Sequence, residues 1–228
     1  MNHYLNRVRI KAVYHRLAEL KHRVVFVGGT TLSFYADNPS LEVRPTDDVD
    51  VIIELLHYRD HAALEEKLRS IGFEHDRSSN VICRYTIEGI TVDIIPTTAS
   101  VIGFSNYWYE EGFKKAIDYC LDEHVTIKIL SPPYFIASKL EAFKSRGGGD
   151  GRLSEDFEDI IYIFENRTRI WEELHQTTGE IRNYLKDTFK HLRQNPHIYE
   201  WIDAHVEQGV NTATADILRE LYGFIELG

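Results

Sequence analysis

The chain has 228 residues, with 26 Lys or Arg against 36 Asp or Glu, so its formal net charge is −10. This acidity excludes a strongly basic nucleic-acid coat protein, and a polyanionic ligand would need a local basic patch or metal ions. Hydrophobic residues make up 43% and charged residues 27%, as in soluble globular proteins. Two cysteines are too few for a disulfide framework. This low cysteine count favours a reducing cytoplasm. No apolar run reaches the roughly 18 residues that span a bilayer, so we expect a soluble protein without a membrane partner.

In the first half of the chain, short β-branched runs alternate with helical patterns. An N-terminal amphipathic helix is predicted from the stripe Leu5, Val8, Ala12, Val13 and Leu17. A second helix is predicted over residues 61–71, with Gly72 as its C-cap. Strands are predicted at Val24–Val27, Val49–Ile53, Val81–Thr86, Thr91–Ile95 and Val125–Leu130. The third and fourth of these form a hairpin that turns at Glu88-Gly89.

The second half of the chain is predicted to be helical. Helices are expected at 133–145, after an N-cap at Ser154, and near 169–192, 197–208 and 212–226. The sequence pattern changes from alternating strands and helices to helices alone near the glycine run 147–151, which is the best candidate for a domain boundary. We expect an α/β (α+β) core with a mixed sheet over residues 1–130, followed by an all-helical bundle over residues 131–228.

Gly28 and Gly29 follow the predicted strand 24–27 and precede a predicted helix. Such a turn leaves bare backbone N–H groups at a helix N-terminus, where a phosphate can approach without a Cβ in the way. A glycine pair after a strand is more often a plain turn, so this motif carries weight only together with its neighbours.

Asp48 and Asp50 stand two residues apart on a predicted strand, so their side chains share one face. Asp93 lies in another predicted strand and is expected to join them. Like charges held together are costly without a cation, and three carboxylates can hold two Mg²⁺ ions roughly 3.5–4 Å apart. The alternative is three strand-end charges that face water. Asp47 is a rival ligand, but strand alternation points it to the other face.

Lys139 lies within the apolar stripe of the predicted helix 133–145, four residues from both Phe135 and Phe143. A cation at such a position needs an anionic partner. The alternative is a snorkelling lysine whose stem covers apolar surface. Asp156 and Asp159 are neighbours on the next helix, where Asp156 also suits the first turn.

The order of strand, Gly-Gly, helix, Asp-x-Asp strand and later single-Asp strand resembles the nucleotidyltransferase fold of the DNA polymerase β superfamily. Within it, the chain is most similar to the AbiEii-like group, the toxin component of bacterial abortive-infection and type IV toxin–antitoxin systems. The motifs that carry the resemblance lie between residues 24 and 165. They are Gly28-Gly29-Thr30-Thr31-Leu32, Arg44-Pro45-Thr46-Asp47-Asp48-Val49-Asp50, Lys139-Leu140-Glu141-Ala142-Phe143 with Arg146, and Asp156-Phe157-Glu158-Asp159-Ile160.

The resemblance implies transfer of a nucleoside monophosphate from an NTP to an acceptor hydroxyl. It implies catalytic and metal-binding roles, with Mg²⁺ or Mn²⁺ as the ion, for Asp48, Asp50 and Asp93. It implies nucleotide binding by Gly28, Gly29, Thr30, Ser33, Arg44, Lys139 and Asp159, so that Lys139 and the Asp156/Asp159 pair complete the active site from the helical domain.

The favoured acceptor is RNA, tRNA or a protein, and a cognate antitoxin is the implied protein partner. Two alternatives stay open. One is a small-molecule nucleotidyltransferase of the antibiotic-resistance kind, and the other is a catalytically silent, nucleotide-binding regulatory module.

Overall fold

The computed structural model describes residues 1–38, 41–55, 58–146, 149–207 and 212–226. The chain divides into two compact units. The first combines Met1–Phe34 with Asn38–Ser131, and the second combines Tyr35–Asp37 with Pro132–Gly228. Of the glycine run noted in the sequence, Gly147 and Gly148 lie outside the described residues.

The first unit mixes helices and strands. Its strands are β1 (Val24–Val27), β2 (Asp48–Ile53), β3 (Glu74–His75), β4 (Arg84–Ile87), β5 (Ile90–Pro96), β6 (Ile117–Asp122) and β7 (Val125–Ile129). Its α-helices are α1 (Asn2–Arg16), α2 (Tyr58–Ser70), α3 (Ala99–Ile102) and α4 (Tyr109–Lys114). Short 3-10 helices cover Ala18–His22 and Gly29–Phe34.

The strands form one sheet in the order β3-β4-β5-β2-β1-β7-β6. β2 runs parallel to β5 and β1 runs parallel to β7, whereas the other neighbouring pairs are antiparallel. The predicted mixed sheet is therefore confirmed.

Burial explains the orientation of the central strands. All four residues of β1 are buried, as expected for a strand covered on both faces. At the start of β2, Val49 and Val51 are buried while Asp48 and Asp50 are partly exposed. This alternation places the two carboxylates on the face opposite the valines, as the sequence predicts.

The hairpin of β4 and β5 turns at Glu88-Gly89, as predicted. Both residues have a positive φ, 51° and 78°, which is the requirement of a two-residue type I′ turn. Counting outward from this turn pairs Arg84 with Asp93.

The second unit is helical, as predicted. Its helices are α5 (Pro132–Arg146), α6 (Glu155–Asn166), α7 (Ile170–His175), α8 (Glu180–Arg193), α9 (Ile198–Asp203) and α10 (Ala213–Glu226). The Ser154 side chain accepts a hydrogen bond from the Phe157 backbone N–H, so the predicted N-cap of α6 is confirmed. Phe143, Phe157 and Trp201 pack their rings within 6 Å of one another in its core.

Some local predictions are wrong. Helix α1 forms, but it buries the face of Asn6, Ile10 and Val13, with Leu17 buried just after its end, and leaves Leu5 and Val8 exposed. The hydrophobic stripe misleads here because polar Asn6 belongs to the buried face. The single helix predicted near 169–192 is broken into α7 and α8 by Gly179, whose φ is 73°.

The segment after the glycine pair also differs from its prediction. Gly29–Phe34 forms a 3-10 helix instead of an α-helix, and all six of its residues are buried. Strands β3 and β6 are absent from the sequence prediction because both residues of β3 and three of the six residues of β6 are exposed, which leaves little hydrophobic signal. Across the described residues, no helix combines the length and the apolar character needed to cross a membrane.

Candidate metal and nucleotide site

Three aspartates converge on one face of the sheet because of strand register. Parallel pairing of β2 with β5 sets Asp50 directly beside Asp93, and Asp48 lies two residues earlier on the same face as Asp50. One carboxylate oxygen from each of the three lies within 4.8 Å of the others. The structure thus brings together the three residues that the sequence analysis selected as metal ligands. Asp47, the rival ligand, is exposed and is not part of this cluster.

Arg84 binds two of these carboxylates. Its Nε and Nη2 donate hydrogen bonds to the two oxygens of Asp93, each at 2.8 Å. The same Nη2 donates to Oδ2 of Asp48, also at 2.8 Å. Hydrogen bonding to Asp93 raises the pKa of Arg84 above its ordinary value, so this positive charge is permanent.

The donor set of the cluster suits a hard divalent cation. Carboxylate oxygens are the ligands that Mg²⁺ and Mn²⁺ prefer. The three carboxylates outnumber the one guanidinium of Arg84, so a divalent cation would add favourable charge to the cluster. Asp48 and Asp50 are partly exposed, so an ion can reach them from solvent.

Gly28 leaves room for one of the carboxylates. A Cβ at this position would lie 2.0 Å from Oδ2 of Asp50, and the φ of Gly28 is 73°. Both facts require glycine here. The space that the missing side chain opens is therefore filled by Asp50, which ties the Gly-Gly motif to the acidic cluster.

Gly29 leaves room for a cation in the same way. A Cβ there would lie 2.8 Å from Nη2 of Arg44 and 3.1 Å from Oγ1 of Thr46. Thr46 is buried, and its hydroxyl has no hydrogen-bond partner within the described part of the chain. A guanidinium, a hydroxyl and a bare glycine backbone are groups that bind phosphate oxygens.

Thr30 and Ser33, both predicted to contact the nucleotide, are completely buried in the 3-10 helix. Neither hydroxyl has a partner among the residues that the structure describes. Both residues lie in the 3-10 helix that begins at Gly29, and their side chains are buried.

Lys139 lies buried between two carboxylates of the second unit. Its Nζ is 3.0 Å from Oδ1 of Asp156 and 2.6 Å from Oδ2 of Asp159. Arg146 also donates to both oxygens of Asp156, at 2.8 and 3.0 Å. Burial favours the neutral acid, but the hydrogen bonds from Arg146 and the charge of Lys139 outweigh it and lower the pKa of Asp156. The anionic partner that the sequence analysis expected for Lys139 is thus this aspartate pair.

Sequence reasoning missed Arg84 and Thr46. The signal for Arg84 was present, because the two-residue turn at Glu88-Gly89 fixes Arg84 as the cross-strand neighbour of Asp93. Thr46 lies within the Arg44–Asp50 motif, but a threonine ahead of a strand is common and nothing in the motif marks it as a neighbour of Gly29. Its place beside Gly29 depends on the path of the chain between the 3-10 helix Gly29–Phe34 and strand β2.

Comparisons with known proteins agree with this geometry. The chain is similar in structure to an antigenic nucleotidyltransferase-like protein from Paracoccidioides brasiliensis, with a TM-score of 0.50 and 16% identity. The match covers 89% of this chain and 94% of that one, and at this identity it supports the fold alone. No protein with a curated description matches the chain.

A family model described as "Nucleotidyl transferase AbiEii toxin, Type IV TA system" matches residues 11–221, which include the acidic cluster, the glycine pair and the Lys139 cluster. This match confirms the resemblance seen in the sequence motifs. The chain belongs to the AbiEii family of nucleotidyltransferase toxins and is a nucleotidyltransferase.

Proposed function

We propose that this protein transfers a nucleoside monophosphate from an NTP to an acceptor hydroxyl in a Mg²⁺-dependent reaction, and that it acts as the toxin of a toxin–antitoxin pair. The observation that carries the proposal is the convergence of Asp48, Asp50 and Asp93 on one face of the sheet, with Gly28 packed against Asp50. Membership of the AbiEii family supports the toxin assignment.

Asp48, Asp50 and Asp93 would hold the ions. When bound, Mg²⁺ supplies Lewis-acid activation of the attacking oxygen and neutralises charge on the leaving pyrophosphate, and Mn²⁺ can take the same place. The chain's own contribution is positioning, since the strands fix the three carboxylates before substrate arrives.

In the proposed step, the acceptor oxygen forms a bond to the α-phosphorus while the bond from this phosphorus to the bridging α,β-oxygen breaks. Pyrophosphate leaves with the electron pair of that bond. The hydroxyl proton leaves toward the acidic cluster, where Asp93 is the proposed base. Atoms and charge are balanced without any further reactant.

The nucleotide phosphates are proposed to lie along Gly28 and Gly29, with Arg44 and Thr46 as charged and polar contacts. This proposal is supported by the bare backbone of Gly29 beside the Arg44 guanidinium and the unpartnered Thr46 hydroxyl. The roles of Thr30, Ser33, Lys139 and Asp159 in nucleotide binding are proposed from the family motifs. The acceptor is proposed to be RNA, tRNA or a protein, and the cognate antitoxin to be the protein partner.

A label-transfer assay tests the proposal. Each of the four NTPs, labelled at the α-phosphate, is incubated with Mg²⁺, the full chain and a cell extract as the acceptor pool. Label that enters an RNA or protein fraction with wild type, and not with an Asp48→Asn/Asp50→Asn variant, supports the proposal and names the base. Label in the small-molecule fraction alone supports the antibiotic-type enzyme instead. NTP binding without transfer to any fraction supports the regulatory module and contradicts the proposal.

A further inference from the structure

Arg84 holds a position that the family assignment does not explain. It begins β4 opposite Asp93, and Asp93 stands opposite Asp50 on β2. Arg84, Asp93 and Asp50 therefore form one row across three neighbouring strands, with their side chains on a common face. A fixed cation thus stands at the end of a row of acids whose proposed partner is another cation.

The bonds of Arg84 use the oxygens that a metal would need. Nη2 bridges Oδ2 of Asp48 and Oδ2 of Asp93, and Nε takes the remaining oxygen of Asp93. An ion that ligates Asp93 must therefore share an oxygen with the guanidinium or displace it, and at Asp48 it meets the guanidinium at one of the two oxygens. The guanidinium and a divalent ion bound to the same carboxylates would repel each other. This repulsion is strong where solvent is partly excluded, and the Arg84 side chain is only 25% exposed.

The two contacts of Arg84 are unequal. Asp93 receives two parallel hydrogen bonds, whereas Asp48 receives one. A forked bond is the stronger of the two and is geometrically fixed by the cross-strand pairing. The bond to Asp48 is therefore the one that yields when an ion binds.

We infer that Arg84 is a built-in counter-ion that stabilises the acidic cluster without metal, competes with divalent ions for Asp48 and Asp93, and thereby sets the metal affinity of the enzyme. The inference rests on the proposed function, because it assumes that the three aspartates hold the ion. Arg84 is a positioning residue in this account. It keeps the carboxylates from repelling one another and keeps the site weak enough that metal binding depends on the nucleotide, which brings its own phosphate ligands.

The test is a Mn²⁺ titration of the full chain, with free Mn²⁺ followed by electron paramagnetic resonance in the absence of nucleotide. Arg84→Gln removes the charge and the fork. We expect it to bind Mn²⁺ about tenfold more tightly than wild type, since the ion no longer breaks a charged hydrogen bond or sits beside a cation. The melting temperature of Arg84→Gln should fall in EDTA and recover with Mn²⁺ by more than that of wild type.

Arg167→Gln is the matched control. Arg167 is 22% exposed, makes a similar forked pair with Glu173, and donates to none of the three aspartates. The change in net charge is the same, so Arg167→Gln should bind Mn²⁺ as wild type does. If Arg84→Gln does not fold, Arg84→Lys takes its place, because a lysine keeps the charge but cannot reproduce the fork. It should tighten Mn²⁺ binding about threefold, since only part of the competition is lost.

The outcomes separate the inference from the proposed function. Asp50→Asn must weaken Mn²⁺ binding if the cluster is the metal site. If wild type binds Mn²⁺ and Asp50→Asn does not, but Arg84→Gln binds no more tightly than wild type, the inference is overturned and the proposed function stands. If neither wild type nor Arg84→Gln binds Mn²⁺ at millimolar concentration without nucleotide, the inference is overturned. If added NTP does not restore Mn²⁺ binding either, the proposed function is overturned with it.

Discussion

Gly28 packs against the carboxylate of Asp50 with no room for a side chain. A Cβ would lie 2.0 Å from Oδ2 of Asp50, and the backbone has a positive φ of 73°. A substitution here meets two separate obstacles, which are the strain of the left-handed conformation and a collision with a proposed metal ligand.

Gly28→Ala therefore should both lower stability and disturb the metal site. We expect a loss in the free energy of unfolding of about 2 kcal/mol or more, from backbone strain plus displacement of Asp50. Mn²⁺ affinity should fall together with it. Chemical denaturation and a Mn²⁺ titration measure the two effects.

Gly103→Ala is the control for backbone strain alone. Gly103 has a φ of 86°, and a Cβ there meets nothing within 4 Å among the described residues. Gly103→Ala should lower the free energy of unfolding by about 1–2 kcal/mol and leave Mn²⁺ binding unchanged. Equal loss of Mn²⁺ affinity in the two variants would contradict the specific role of Gly28.

At the scale of single residues, the sequence predicted the acids better than the cations. Asp48 and Asp50 follow from strand alternation, and Asp93 follows from being an acid inside an apolar strand. The position of Arg84 depends on the hairpin register, which the turn at Glu88-Gly89 sets by pairing Arg84 with Asp93. The contact between Gly28 and Asp50 spans two strands and has no local pattern.

At the scale of elements, helices α5 and α6 are joined by a buried ion cluster. The Lys139 side chain is 7% exposed, and those of Asp156 and Asp159 are 5% and 0% exposed. Burying three charges is costly, and their mutual pairing offsets that cost only while all three are present. Removing Lys139 takes away the buried cation that both acids share, and the exposed Arg146 still pairs with Asp156.

Lys139→Met should lower the free energy of unfolding by about 3–5 kcal/mol, because it leaves buried charge uncompensated. Lys190→Met is the matched control, since Lys190 pairs with Asp187 on the surface of α8 and is 51% exposed. That change should cost less than about 1 kcal/mol. Urea denaturation of the two variants measures the difference, and similar losses would contradict a stabilising role for the buried cluster.

The same cluster predicts how stability responds to acid. The pKa of Asp156 lies below its usual value of 3.8. Burial raises this pKa, but the hydrogen bonds from Arg146 and the charge of Lys139 lower it by more. A carboxylate with a lowered pKa stabilises the fold above the pKa of the unfolded chain, and this contribution is lost as the pH falls below about 4. The free energy of unfolding should therefore decrease as the pH is lowered below about 4.

Arg146→Gln should flatten this dependence, because it removes hydrogen bonds that keep Asp156 ionised. Arg219→Gln is the control, since Arg219 is 69% exposed, like Arg146 at 70%, but pairs with a half-exposed Asp216. Urea midpoints at pH 5 and pH 3 make the comparison. A slope in Arg146→Gln equal to that of wild type and Arg219→Gln would contradict the assigned cause.

Secondary structure was predictable where burial imposes a period. Strands β1, β2, β5 and β7 lie close to their predicted positions because their inward residues are β-branched. The edge strands β3 and β6 were missed because exposed strands carry no such pattern. All six residues of the 3-10 helix Gly29–Phe34 are buried, so the segment has no exposed face from which a helical period could be read.

At the scale of the whole molecule, the fold was predicted mainly from the order of strands and helices along the chain. An alternating α/β half followed by a helical half predicted a mixed sheet and a helical domain, and the structure has a mixed sheet in the first unit and helices in the second. Three carboxylates held within 4.8 Å of one another repel, so the acidic cluster depends on cations, either Arg84 or a divalent ion. The acceptor is set by surface features that have no fixed sequence signature.

The most direct measurement is the initial rate of label transfer from the preferred NTP, with Mg²⁺, for Asp48→Asn and Asp47→Asn. These neighbouring residues undergo the same chemical change, but Asp48 belongs to the cluster and Asp47 is exposed outside it. We predict that Asp48→Asn loses activity by about 10²-fold or more with an unchanged circular dichroism spectrum, and that Asp47→Asn stays within about twofold of wild type. Retained activity in a folded Asp48→Asn, or equal loss in Asp47→Asn, would contradict the assignment of the acidic cluster as the catalytic centre.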